Sequence, residues 1–323
     1  EMDDLGMLRL DLLAYVKEHG EEALKWLCRK MADTKTASTV LKLNVPIYGE
    51  PDAGKHFEAK HSSVLTGPCG LRRCKTQPCF YVQYYYRKSD QGRECIGYLF
   101  NITWSDDGRF FGTDAAVMVF KENLEANLDC KVKLESKEFV SIELHQDLEA
   151  GTFELKQPEY WRLAYEETYN EHVTMFAKKG TRYVPLPADT EIEPATDEEF
   201  ELAKQLPMKA VLGTIGFPAQ FTKIEIRHAL RMLQRHGHKW SVEIFALAIH
   251  LLSYCYDTRE LGIIYSRDLD PHGVLCLYAY ADASFRAPKS DECALVMCQG
   301  AVVSDHFGTQ TTTADSTMRA EYM

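Results

Sequence analysis

The sequence predicts an α+β fold with helices packed on one face of a small, mostly antiparallel sheet. Three patterns carry this reading. Residues 80–87 and 96–104 are runs of aromatic and β-branched side chains separated by the polar stretch K-S-D-Q-G-R, which reads as two strands joined by a turn. Residues 139–145 and 152–155 flank D-L-E-A-G at 147–151 in the same way and read as a second hairpin. Between the two, residues 115–128 read as a helix, so strands and helices alternate along the chain.

The remaining elements follow from periodicity and punctuation. Leu8, Leu12, Leu13 and Val16, then Leu24 and Leu27, recur at helical spacing with an interruption at Gly20, which predicts two short helices over residues 8–31. Residues 57–65 add a further turn or two. Residues 185–201 hold three prolines and a dense acidic run and read as a linker. Helices resume over 198–204, 224–235 and 241–254, and strand character returns at 275–281 and 294–303. No repeat of fixed period is evident.

Composition bounds the function. A chain of 323 residues predicts two or three domains. Hydrophobic residues at 45% and charged residues at 26% exclude a mainly disordered, collagenous or coiled-coil chain. The most apolar stretch, 240–256, carries Glu243 and His250 and is shorter than the ~20 apolar residues of a membrane span, so no membrane partner is expected. The opening E-M-D-D lacks the basic-then-apolar pattern of a signal peptide. Lys plus Arg total 37 against 48 Asp plus Glu, a net charge of −11, so any polyanion site must be a local basic patch. Ten cysteines without a Cys-x-x-Cys pair read as free thiols in a reducing compartment, cytoplasmic or nuclear. Both ends are expected to be cuts, because Glu1 is no initiator methionine and residues 316–323 read as a helix only begun.

Three constellations carry candidate chemistry. In I-T-W-S-D-D-G at 102–108, an apolar strand runs into Asp106 and Asp107. Neighbouring aspartates repel, and a divalent cation against them relieves the repulsion. Strand alternation makes the two unequal ligands, with Asp106 the principal one. Read alone, Asp-Asp-Gly is more commonly a hairpin turn. In L-Y-A-Y-A-D-A-S-F at 277–285, Asp282 interrupts a strand of alternating aromatic and small residues, a costly position unless paired or metal-bound. Glu321 is the candidate partner, with Asp305 and Asp315 weaker options, and an Asp that merely ends the strand is equally consistent. Finally, Arg227, Arg231 and Arg235 recur every four residues and stack along one helix face. Such a stripe suits phosphate contact, although a solvated or salt-bridged face is commoner. The histidines at 228, 236 and 238 fit phosphate contact or plain solvation better than metal ligation, and Gly213 and Gly216 do not form a phosphate loop.

Taken in order, these segments resemble the polymerase polyprotein of copia-type LTR retrotransposons. Residues 43–57, L-N-V-P-I-Y-G-E-P-D-A-G-K-H-F, are similar to that family's L-x-x-x-L-Y-G-L-K-Q-A-P-R-x-W, and Q-P-C-F-Y-V at 77–82 to its D-P-C-L-Y-V. Ser105, Asp106 and Asp107 stand where its Y-V-D-D catalytic hairpin does, and F-G-T-D at 111–114 resembles A-G-S-D. F-V-S-I-E at 139–143, L-K-Q-P-E-Y at 155–160, Y-A-D-A-S-F at 280–285 and A-E-Y-M at 320–323 are similar to F-L-G-I-E, L-S-Q-x-x-Y, Y-S-D-A-D-W and A-E-Y-M. The similarity runs from about Leu43 to the last residue.

The resemblance implies a reverse transcriptase palm over residues 1–180, an acidic linker and helical thumb or connection over 181–267, and a truncated RNase H-like α/β domain over 268–323. It implies RNA-directed DNA polymerisation by two-metal nucleotidyl transfer, with Mg2+, or Mn2+ in its stead, on Asp106 and Asp107. Asp282 and Glu321 are then half of the RNase H metal site. Its implied partners are an RNA template, a DNA primer and deoxynucleotide triphosphates, and Arg227, Arg231 and Arg235 are expected on the template-primer backbone. Three departures stand out: the upstream palm aspartate has no counterpart between Glu1 and Leu43, Asp52 replaces the family's glutamine, and Gly108 follows the paired acids where a leucine is usual. The segment alone is therefore expected to be inactive, and the alternative is a relic of the same fold that acts only as a binding module.

Overall fold

The computed structural model describes residues 25, 52–89, 92–105, 107–134, 136–177, 180, 182–187, 190–269, 276–285 and 289–322. It is a mixed α and β structure whose sheets are antiparallel. The chain divides into two compact units, residues 1–134 and 135–323. The predicted helices over 8–31 lie outside the described residues apart from Lys25, which is helical.

In the first unit, α1 (Ala53–Thr66) is followed by β1 (Arg72–Arg73), β2 (Phe80–Ser89), β3 (Gly92–Trp104), β4 (Asp107–Gly112) and α2 (Asp114–Asn127). The strands form an antiparallel meander in the order β1-β2-β3-β4. The expected hairpin is present, with Phe80 paired to Ile102 and Lys88 to Arg93, and a bulge at Ile96. Strand alternation divides the sheet. Tyr81, Gly97, Leu99, Asn101 and Thr103 turn inward, where Tyr81 and Leu99 meet Leu65, Leu71, Phe120 and Leu124 in one core. The helices thus cover one face, as the sequence predicts. Gly112 lets β4 run into α2: a Cβ there would lie 2.3 Å from the Tyr98 carbonyl oxygen of β3, so only glycine permits this approach.

All nine described cysteines are free thiols. They differ in reactivity for a physical reason. The half-exposed Cys74 lies 3.3 Å from Thr76 Oγ1, and that contact, with the backbone amides of Gln77 and Thr76, pulls its pKa down. Burial pushes Cys69 up to about 11, with Cys130 adding to it, and burial raises the fully enclosed Cys255 as well. Because the thiolate is the nucleophile, iodoacetamide at pH 8 is expected to modify Cys74 at least about tenfold faster than Cys69 or Cys255. Peptide mass spectrometry over a time course reads this, and equal rates for Cys69 and Cys74 in the folded chain would contradict it.

The second unit begins with β5 (Glu138–Phe139), β6 (Ile142–Asp147) and β7 (Thr152–Lys156), continues through helices, and closes that sheet with β8 (Ile263–Ser266), in the order β5-β6-β7-β8. The helices are α3 (Pro158–Arg162), a π-helical turn (Leu163–Thr168), α4 (Asn170–Phe176), α5 (Asp197–Ala203), α6 (Met208–Ala219), a 3-10 turn (Ile224–Ile226), α7 (Arg227–Gln234) and α8 (Val242–Asp257). The expected boundaries at 180 and 267 both fall inside this unit, and β7 pairs with β8 across them.

Helix α8 is the centre of this unit. It buries Ile244, Phe245, Ala248, Ile249, Leu251, Leu252 and Cys255, and a helix apolar on nearly all sides belongs in a core. The Ser241 hydroxyl caps its start by accepting from the Ile244 amide at 3.3 Å. At its end, the buried Lys223 ammonium donates to the Thr258 carbonyl at 2.6 Å, satisfying a carbonyl that the helix leaves open. Among the described residues no helix is long and apolar enough to cross a membrane.

Two predicted elements are corrected here. Residues 185–201 do not form a free linker, because Leu186 and Ile192 pack on the helical core, Ala195 is buried, and Thr196 with Glu199 forms a capping box that starts α5. Residues 294–303 are not one strand. They are the end of β10 (Asp291–Cys298) and the start of β11 (Ala301–Thr309), joined through Gln299 and Gly300, both at positive φ. With β9 (Leu277–Ser284) these make a meander in the order β11-β10-β9, and a short helix α9 (Thr317–Tyr322) docks on β9.

Candidate functional site

Three places correspond to the sequence-predicted site residues. The first is the β3–β4 hairpin. Trp104 pairs directly with Asp107, so two residues make the connection, and Ser105 takes φ +52°, the left-handed region that tight hairpins demand. Asp107 is the first residue of β4 and is exposed. Asp106 lies outside the described residues. A hairpin connection does fall at the Asp-Asp-Gly segment that the sequence reading offered as a turn, with Asp107 and Gly108 already in β4 and Gly108 opposite Thr103.

The second is the β9–α9 junction. Asp282 is exposed on β9, opposite Cys293, while the neighbouring Ala283 is buried with Ala314 and Ala320 beneath α9. Glu321 reaches the same strand, and its Oε1 accepts from the Ala283 amide at 3.4 Å. The fold therefore brings Glu321 to within one residue of Asp282 along β9, across 38 residues of sequence from its bonding partner. The two weaker candidates are occupied elsewhere: Asp305 pairs with Arg227, and Asp315 with Arg319 at 2.7 Å.

A hard divalent cation takes about six oxygen ligands. The donor type at both places suits it, and among the described residues no three His, Cys, Asp or Glu side chains converge.

The third is the arginine stripe on α7, where the structure shows the salt-bridged face that the sequence reading held to be commoner than phosphate contact. The stripe is turned toward β10 and β11. Arg227 forms an ion pair with Asp305 and lies over the Phe307 ring at 5.5 Å. Arg231 donates to the Phe307 carbonyl at 2.7 Å and to Thr309 Oγ1 at 2.9 Å. Arg235 pairs with Asp291 and donates to Thr309 Oγ1 at 3.0 Å. A guanidinium carries N–H donors in a planar fork, and each of these three uses at least one of them to fasten a helix to a hairpin. The cause is tertiary, since the partners sit 56–78 residues away in sequence.

One feature was missed. The outer face of the first sheet carries exposed Tyr84, Tyr86, Tyr98, Trp104 and Phe111, with Phe80 and Phe100 half-buried among them. Its signal was present as period-two aromatic spacing within residues 80–86 and 98–104, which sequence reasoning used only to assign strands.

The chain matches no protein-family model, no curated protein and no solved structure.

Proposed function

We propose that the chain is part of an RNA-directed DNA polymerase of the copia-type retrotransposon kind, with the start of a ribonuclease H domain at its C-terminal end. The observation that carries this is the coincidence of sequence and geometry at the paired acids: the segment resembling the catalytic hairpin is a two-residue hairpin at the exposed edge of an antiparallel sheet backed by two helices. A second observation supports it, since Glu321 reaches β9 at the amide of Ala283, the residue after Asp282. In this reading Asp106 and Asp107 hold Mg2+ near a primer terminus on an RNA template, Asp282 and Glu321 hold it in the nuclease portion, and deoxynucleotide triphosphates are the substrates. The ion supplies charge neutralisation for phosphoryl transfer. The protein's part is to present the exposed Asp107 at the first position of β4, next to the hairpin connection.

Primer extension on an RNA template by the full-length gene product tests it. Asp106→Asn is expected to lower extension by about 100-fold or more, because a metal-held charge is worth several kcal/mol in the transition state. Equal extension by both proteins would remove the assignment. Asp52, in place of the family's glutamine, favours a second reading, a relic that keeps the fold and only binds through it. That reading expects no extension from the unsubstituted protein and no saturable Mg2+ site.

A further inference from the structure

Within the second unit, a cavity of about 580 Å3 opens between β8, the 3-10 turn and strands β10 and β11, inside the roughly 300–1,000 Å3 range of small-molecule sites. Ile224, Ile263, Leu295, Met297, Val302 and Phe307 line it, each half-buried, so its walls are apolar and still open to a ligand. A bulge in the β10–β11 pairing shapes one wall. Val296 pairs with Ser304 and Met297 with Val302, which leaves Val303 unpaired and exposed and sets Val302 beside Met297 at the cavity. Bulges re-aim side chains in this way next to active sites. The walls are also tied together: the Ser266 amide of β8 donates to the Gln299 carbonyl at 3.0 Å, and the Tyr265 hydroxyl donates to the Val302 carbonyl at 3.0 Å. The space is preformed, as small-molecule sites usually are.

The charge on the wall says which ligand fits. Glu225 is the one charged side chain among the described residues that line the cavity. It pairs with Lys223 at 3.3 Å, but the two differ in access, since the Lys223 side chain is 1% exposed and that of Glu225 is 45% exposed. The Lys223 ammonium also donates to the Thr258 carbonyl and to Thr258 Oγ1, so its three N–H groups are spent on the protein. Arg227, over the Phe307 ring, is matched by Asp305. A ligand therefore meets the Glu225 carboxylate and the neutral Tyr254 phenol, which burial and then Glu225 push up, beside apolar walls. Such a site repels an anion, whereas a protonated amine on an apolar body satisfies both the carboxylate and the walls.

We infer that this cavity binds a small apolar amine, with the ammonium on Glu225 and the hydrocarbon body among Leu295, Met297, Val302 and Phe307. Hydrogen bonds from an ammonium to a carboxylate are charge-assisted and about twice as strong as neutral ones. Burial of the apolar body supplies the rest of the affinity. A neutral ligand of the same shape keeps only the burial. The inference is independent of the polymerase reading, because it uses neither the paired acids, nor Asp282 and Glu321, nor a metal.

Methyl NMR of the full chain carrying labelled methionine, titrated with naphthylmethylamine, naphthylmethanol and naphthoic acid, tests it, with the Met297 resonance assigned through Met297→Leu. The Met297 methyl is expected to shift saturably with the amine, which should bind at least about tenfold more tightly than the alcohol or the acid. Glu225→Gln is expected to weaken amine binding roughly 10- to 100-fold, the usual worth of a hydrogen bond to a charged group, and to leave the alcohol unchanged. Met297→Trp, which fills the space, should abolish amine binding, with its urea unfolding curve showing that the chain is folded. Equal affinity for amine and alcohol, amine binding unaltered by Glu225→Gln, or amine-induced shifts that spare Met297 would each overturn the inference. So would amine binding retained by a folded Met297→Trp chain.

Discussion

Arg235→Met is expected to destabilise the chain by about 3 kcal/mol, the cost of leaving one member of a largely buried ion pair alone. The asymmetry of the pair sets the figure. The Asp291 side chain is 11% exposed and that of Arg235 is 31% exposed, so the stranded carboxylate has little access to water, while a stranded guanidinium has more. Asp291→Leu should therefore cost less, about 2 kcal/mol, with Arg235 still donating to Thr309 Oγ1. The double variant should recover at least half the summed loss, because an apolar pair of similar volume replaces an ion pair at small cost. Urea unfolding of the four proteins measures the cycle. If the stripe instead faced phosphates, each single variant would lie within about 0.5 kcal/mol of the original, as surface substitutions do, and its effect would appear only in nucleic-acid binding.

That contrast shows where sequence reasoning stops. Helix α8 was legible because its apolar residues and its Ser241 cap are local. The first hairpin was legible because aromatic and β-branched runs flank a polar turn. The arginine stripe was legible as a stripe, yet its direction depends on Asp291, Asp305 and Thr309, which no local pattern connects to it. Two turns were missed because Val140–Ser141 and Gln299–Gly300 take positive φ without the Asn-Gly or Asp-Gly signature. The first of these splits the expected strand over 139–145 into β5 and β6. Helix α6 was missed because Gly213, Gly216 and Pro218 lower its intrinsic propensity. Burial of Met208, Val211, Leu212 and Ile215 outweighs that loss. At the candidate site, the motif order pointed to Asp282 and Glu321 separately, and the docking of α9 on β9 was needed to bring Glu321 to the amide of Ala283, the residue after Asp282.

Trp161→Ala is expected to be the most damaging single change, about 4 kcal/mol. Trp161 is among the largest fully buried side chains, and it meets Tyr160 edge-on at 5.6 Å. Its neighbours cannot close over a vacancy, because they are tied from outside. Tyr160 donates its hydroxyl to the Thr214 carbonyl at 2.9 Å, and the Tyr169 hydroxyl lies 2.9 Å from Thr214 Oγ1, so both flanking segments are pinned to α6. Burial, and then Tyr169, pushes the Tyr160 phenol up to about 12, so this tie persists through ordinary alkaline conditions. A cavity that cannot collapse carries its full cost. Trp161→Phe separates this volume effect from a polar one. The Trp161 Nε1–H has no hydrogen-bond partner among the described residues, and burying such a donor costs about 1–3 kcal/mol. Phenylalanine gives up ring volume but also removes that donor, so its cost should stay below about 1.5 kcal/mol. Urea unfolding followed by circular dichroism gives both values. Similar losses for phenylalanine and alanine would mean that the indole N–H is satisfied and that the packing around Thr214 is softer than these bonds indicate.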